Sequence, residues 1–495
     1  MTNRAWSSLF LLGALLALPA CEKGGVAEPV PTVIGGEGGG GSAPIPLDWG
    51  FPDGGAPGSC DTPPASAGNQ AYTSAWAAGL GDGVTPLQGD FIAPSADGGV
   101  FFSGGVGGML DLGGGVTVQG DGRFLAKLDA DGHAQWAKLL DDPIARLATS
   151  PAGDLWTWGK PDGGPPYITK HELDGSTHLS LSYPADIVVP TADGGALFAK
   201  AFSGQVTYLG VTHVAADQDI MVVRLDPQGT PKWATALSSL LPPLPPKPAK
   251  QVWAMTLGDL AASPDGSASV AAYVVKLDNA NGATGKERVL YRLDANGDAQ
   301  WMRRMAAPAS SPEMRLAADP GGGLILLTLS GSAEDVDLGC GTHWDAGLLL
   351  ASYDAAGNHR WERFFEGQLG VNRPGFDPAG NIVIAGELEG KVDLGGGAFV
   401  DHGSQFAIYV ARYAPDGQHL ASKLYDNSPP DESWLLGGEC RAEGAAVDGA
   451  GNVLLTGYYA GALAFDGIAL PSVPVLGGQY YTNALVAKLV PAPPP

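Results

Sequence analysis

The chain has 495 residues, 44% hydrophobic and 16% charged, which is long and apolar enough for one large core or several smaller ones. A net charge of −24 argues against a nucleic-acid partner, because phosphate binding needs a basic face, and 74 Gly with 40 Pro suit many short strands joined by tight turns. Beyond the N-terminus no apolar run is long enough to span a bilayer.

The first element in chain order is an address. Arg4 supplies a positive n-region and "SLFLLGALLAL" a short apolar stretch, which ends in Leu18-Pro19-Ala20-Cys21. That ending resembles the lipobox of bacterial lipoproteins, where the signal is cut before a diacylated Cys. The resemblance implies a signal peptide over 1–20 and a lipid on Cys21, holding the protein to a membrane without a spanning helix. Ordinary cleavage near Ala20 is the alternative. Glu22 in place of Asp implies an outer-membrane lipoprotein facing the periplasm or the cell surface. Residues 21–70, rich in Gly, Pro and Ser, then read as a flexible tether.

Over 71–491 two short patterns alternate, before a Pro-rich tail at 492–495. One is Asp-xx-Gly-xxx-Trp: Asp129, Gly132, Trp136; Asp226, Gly229, Trp233; Asp294, Gly297, Trp301; Asp354, Gly357, Trp361. Two degenerate copies surround Gly175 and Gly417, with Leu179 and Ala421 at the Trp position. The other pattern places Gly three residues after Ser, Thr or Asp: Gly98, Gly153, Gly194, Gly266, Gly322, Gly380 and Gly451. Asp, Ser or Thr accepts a bond from the backbone two residues on, and Gly takes a positive φ, so both patterns are turns between antiparallel strands. "LDANGDAQW" looks like a calcium loop, but its sister copies replace Asn296 and Asp298 with Asp131, Gln228, Ala356 and His133, Thr230, Asn358. What persists is the turn and the Trp.

Each unit is therefore two hairpins, strands a to d, repeating every ~60 residues, which is the content of a β-propeller blade. Seven a–b turns occur, but "NALVAKLVPAP" stops after strand c, and "AYTSAWAAGLG", with Trp76, is a strand d lacking its c. Pairing those two ends predicts an all-β, seven-bladed propeller of four-stranded antiparallel blades, closed by its terminal strands. Trp76, Trp136, Trp233, Trp301 and Trp361 are then blade-docking residues in the wedge between sheets. Both tight turns fall on one face, and the long connections, such as 237–253, 330–345, 426–444 and 457–483, fall on the other. Binding is expected at those loops. Cys340 and Cys440 both lie in them and are the expected disulfide.

"AVDGAGNVLLTG" followed by "GKVDLGGGAFVDHGSQFAIYVARYAPDGQHL", in its general form, resembles the SBBP family of bacterial β-propeller repeats over roughly residues 70 to 491. That resemblance implies the fold and almost nothing about activity. The Asp-xx-Gly-xxx-Trp run is also similar to the docking motif of PQQ-type propellers, including quinoprotein dehydrogenases and BamB-type assembly lipoproteins; it implies packing and not a quinone.

No catalytic motif, metal pair or cofactor signature is present, so no enzyme activity, metal or cofactor is expected. One basic residue recurs in strand c: Lys127, Lys170, Arg224, Arg292, Arg412 and Lys488, with Ser352 breaking the series. These either bridge to acids such as Asp111, Asp337, Asp393 or Asp466, or form an anion-binding ring. The expected function is a monomeric, lipid-anchored binding or scaffold module with a protein or glycan partner at the loop face. A BamB-like assembly factor is the alternative, and a propeller enzyme a third reading.

Overall fold

The computed structural model describes residues 63–66, 72–81 and 87–492, apart from 141–145, 162–163, 242–250, 279–281, 307–312, 332–335, 344, 401–405, 427–438, 474, 477–478 and 481. The signal, Cys21 and nearly all of the tether lie outside the described residues, as do parts of the long connections. No α-helix occurs among the described residues; Leu237–Leu240 forms one 3₁₀ turn.

Among the described residues the strands form almost entirely antiparallel sheets: four of four strands, one of eight, one of five and five two-stranded hairpins. The first is Gln88–Pro94, Val100–Val106, Gly122–Leu128 and Ala134–Leu140, and the second runs from Arg146–Thr149 to Thr177–Leu181. The third starts at Ile187–Pro190 and the fourth ends at Ala299–Ala306; one parallel bridge, Gln218 to Ala254, joins them into an eight-stranded sheet. The fifth runs from Met314–Ala318 to His359–Glu366. The sixth has its first strand broken into Gln368–Val371 and Gly375–Phe376, and ends with His419–Tyr425. The last combines Cys440–Val447, Val453–Tyr459, Asn483–Pro491 and, from early in the sequence, Tyr72–Leu80. In that final pair Tyr72 lies opposite Pro491 and Leu80 opposite Ala484. The arrangement is propeller-like.

Sequence explains the strand roles. Central strands are packed on both faces, so they read as continuous apolar runs: every residue of Gly347–Tyr353 is buried. The outer strand Ala134–Leu140, by contrast, has no fully buried residue. The seven a–b turn glycines all have φ between 78° and 88°, and Gly98 N–H closes its turn on the Ser95 carbonyl at 3.0 Å.

Seven buried clusters lie between adjacent sheets. Phe101 and Leu125 of the first sheet meet Leu147 and Leu155 of the second. Leu454, Ala484 and Val486 of the last meet Ile92, Val100 and Phe102 of the first. Each large apolar side chain buried there stabilises the fold by about 1.5–3 kcal/mol.

Candidate functional site

The five tryptophans share one geometry. Each indole lies on the c–d turn of the following sheet and donates its Nε1–H to a carbonyl there: Trp76 to Ala130, Trp136 to Leu173, Trp233 to Ala295, Trp301 to Ala355 and Trp361 to Pro415, at 2.8–3.1 Å. The turn glycine is the floor. A Cβ at Gly132, Gly175, Gly297, Gly357 or Gly417 would sit 2.6–2.8 Å from the ring. In the second sheet Leu179 and Leu181 cover Gly229 instead. Trp233 and Trp361 are buried and the other three half-buried, so the indoles close the turn end of the wedge between sheets.

The opening turn of that motif uses its own carboxylate. Asp294 accepts the Asn296 and Asp298 N–H groups at 2.8 and 3.0 Å, as Asp129 does for Asp131 and His133. Asp129, Asp131 and His133 stand close enough to hold a metal, but Asp129 is already engaged by the backbone.

The strand-c cations are paired, though with different acids from those expected. Lys170 meets Asp154 at 3.0 Å, Arg224 meets Asp193 at 2.6 Å and Lys488 meets Asp448 at 3.3 Å; Lys127 pairs with Asp97 and Arg412 with Asp377, while Arg292 lies 3.7 Å from Asp265. All these acids belong to the a–b turns. Where Ser352 breaks the series, Arg360 of strand d reaches Asp319 at 3.0 Å. Burial pushes the Asp193 carboxyl up, but Arg224, Thr191 and the Gly195 N–H outweigh it and hold it down at about 2. Asp111, Asp337 and Asp393 instead cap small hairpins through the N–H groups of Gly113, Gly339 and Gly395, and Asp466 pairs with Lys423.

The expected Cys340–Cys440 disulfide does not form. Cys340 is disulfide-bonded, but Cys440 is a buried thiol donating to the Phe406 carbonyl at 3.3 Å, enclosed in the core between the sixth and last sheets. The partner of Cys340 lies outside the described residues. Cys340, His359 and Glu362 cluster closely, but a disulfide sulfur is no thiolate ligand; Glu362 is held by His343 at 2.7 Å and His359 at 3.3 Å.

Sequence reasoning missed a large cavity. It measures about 1630 Å³, and its wall includes Ile92, Leu147, Ile187, Asp259, Arg315 and Glu443, each on the first strand of its four-stranded unit, and Arg373, in the break of the sixth sheet's first strand. Asp259 follows a β-bulge at Gly258, which re-aims its side chain. Its buried carboxylate accepts the Leu316 N–H at 2.8 Å and a two-pronged bond from Arg373, Nε at 3.1 Å, so one group ties the fourth, fifth and sixth sheets. Across the cavity Lys200 meets Asp186 at 2.6 Å, and Arg146 donates to the Asp186 carbonyl at 2.7 Å. No recurring position carries these groups, so no repeat signal pointed to them.

Beside the cavity, Arg441 bridges Glu387 at 3.2 Å and Glu439 at 2.6 Å. Burial pushes the Glu387 carboxyl up to about 7; Arg441 opposes this, while Glu443, Glu439 and Glu313 add to it. Folded Glu387 thus keeps a proton that the unfolded chain has lost. Its contribution is complete below the unfolded value of 4.5 and is lost as pH rises through about 7. Glu387→Gln should therefore gain on the wild type by roughly 2 kcal/mol between pH 4.5 and 7.5, read from urea unfolding. Parallel pH profiles for the two proteins would show that the group does not titrate there.

No family model matches the chain and no curated protein matches it, so the comparisons give the expected SBBP family no support. Solved structures similar to it include a luciferin-regenerating enzyme (10% identity, 82% of this chain and 93% of that one, TM-score 0.30). Others are Drosophila Plexin A in complex with Semaphorin 1b (9%, 86% and 88%, 0.37) and a Synechocystis apocarotenoid oxygenase variant (12%, 86% and 96%, 0.35). At these scores the likenesses assign neither a family nor an activity. The expectation that the chain is not an enzyme is corrected: it rested on the lack of a recognisable catalytic motif, and the structure brings charged groups from several sheets together around one cavity, so that ground no longer holds.

Proposed function

We propose that the chain is an exported, lipid-anchored, seven-bladed β-propeller, closed by its terminal strands, that works as a binding module with its ligand in the axial cavity. The ring reading is supported by the seven inter-sheet cores, which follow one another in cyclic order and return from the last sheet to the first. The observation that carries the binding role is the cavity wall, which draws residues from the first strand of each larger sheet unit around a space of about 1630 Å³. That volume takes a drug-sized molecule with room to spare. Lipidation at Cys21 places the module at the outer membrane.

The test is native mass spectrometry of the full-length lipoprotein extracted in mild detergent. Thr256 is exposed on the cavity wall, so Thr256→Trp fills space without displacing core. A small molecule should travel with the wild type and be lost from Thr256→Trp at unchanged melting temperature. Equal occupancy in both proteins, or none in the wild type, removes the axial site from the proposal.

A further inference from the structure

The cavity wall has an electrostatic character that the rest of the chain lacks. The molecule carries a net charge of −24, yet on this wall cations outnumber carboxylates five to four. The carboxylates are mostly committed. Asp186 is engaged by Lys200, Asp259 by Arg373 and Asp448 by Lys488. Burial pushes the Glu443 carboxyl up, toward its neutral form, against the opposing pull of Arg441.

The cations are less committed. Arg373 is used by Asp259, and Arg315 reaches Glu313 at 3.1 Å. Arg146 is different. Its one hydrogen bond among the described residues goes to a carbonyl, that of Asp186, and no carboxylate among them lies within ion-pair distance. A guanidinium has five N–H donors in a fixed fork suited to a planar or tetrahedral oxyanion, so most of its capacity faces the cavity. Arg315 and Arg373 both act on Arg146 through space: burial first, then these two guanidiniums, draw its pKa below the usual arginine range, against the pull of Asp186 and Asp259. Three guanidiniums from the second, fifth and sixth sheets therefore share one chamber. Directly across the strand from Arg146 stands Trp158, whose Nε1–H is held by the Asp186 carbonyl at 3.2 Å, leaving the flat indole as an apolar wall. Leu147 and Ile187 continue that wall.

We propose that the cavity binds an organic oxyanion, a carboxylate or phosphate monoester on an apolar body, with its charged head at Arg146 facing Arg315 and Arg373 and its body against Trp158. This rests on the axial-ligand reading above and adds the ligand's chemistry to it. The head needs no metal in this arrangement, because a fork of N–H donors supplies both charge and geometry. The strand-c cations do not compete for it, since the turn aspartates occupy them.

The test uses the full chain in detergent and isothermal titration at low salt with four probes: phenyl phosphate, benzoate, inorganic phosphate and the neutral benzyl alcohol. Phenyl phosphate and benzoate should bind. Benzyl alcohol should bind at least about tenfold more weakly, and Arg146→Met should weaken both aryl anions by about 10–100-fold, the range for losing a charged hydrogen bond. Arg146→Met strands no carboxylate, so its melting temperature should match the wild type; if it fails to fold, Arg315→Met replaces it. Inorganic phosphate distinguishes a site for the head alone from one that needs the apolar body. Benzyl alcohol binding as tightly as phenyl phosphate overturns the anion assignment and leaves the axial-ligand reading in place. Anion binding that is unchanged in both arginine variants, or absent from the wild type, also overturns it.

Discussion

Replacing Trp361 with Ala should lower the unfolding free energy by about 3–5 kcal/mol, the range for emptying a buried aromatic site. The residue is 3% exposed, packs in the core between the fifth and sixth sheets, and anchors its ring to the Pro415 carbonyl at 2.9 Å. Trp361→Leu should cost less, roughly 1–2 kcal/mol, because leucines already cover Gly229 at the equivalent position. Gly417→Ala probes the other half of the contact. In the wild type it adds left-handed strain at φ +82° and a methyl 2.8 Å from the indole, but in the Trp361→Leu background the clash is relieved and the strain alone remains, about 1–2 kcal/mol. A double-mutant cycle from urea titrations should show coupling of at least about 0.5 kcal/mol. Additive costs would mean that the indole and the turn do not depend on one another.

The second large effect is asymmetric. Arg373→Met should cost about 3–5 kcal/mol, because it leaves the Asp259 carboxylate buried without its counter-charge. Asp259→Asn should cost less, roughly 2 kcal/mol: Arg373 is 38% exposed and can turn to water, and the amide oxygen still accepts the Leu316 N–H. The double variant should recover part of the Arg373→Met loss. Chemical denaturation of the three proteins at pH 7 decides it. A smaller loss for Arg373→Met than for Asp259→Asn would place the important partner elsewhere.

Much of the fold could be read from the residues because a repeat multiplies weak signals. One Asp-xx-Gly-xxx-Trp stretch is ambiguous with a calcium loop; several copies that keep only the turn and the indole are not. The strand-c charges show where that method stops. The cation recurs at a fixed place, but its acid moves within the turn: first position in Asp377 and Asp448, third in Asp97, Asp193 and Asp265, fifth in Asp154. A column comparison sees no conserved partner, although the pairing is constant in space. The cavity groups are harder still. Arg146, Arg315 and Arg373 come from three different sheets and meet only through the packing of whole sheets. Likewise, the bulge at Gly258 aims Asp259 by one extra residue that composition does not register. Cysteine spacing told equally little, since Cys440 sits inside a core that only the assembled sheets define.

The strand around Trp76 is among the first of the β-structure to be synthesised, and its neighbour Asn483–Pro491 is the last of the described strands. A chain that leaves the ribosome, or crosses a membrane, amino end first must carry the early strand with an open flank until nearly everything else has arrived. Among the described strand pairings, joining such distant segments carries the largest loop-closure entropy, so the latch fastens late and the flank stays open to other chains until then.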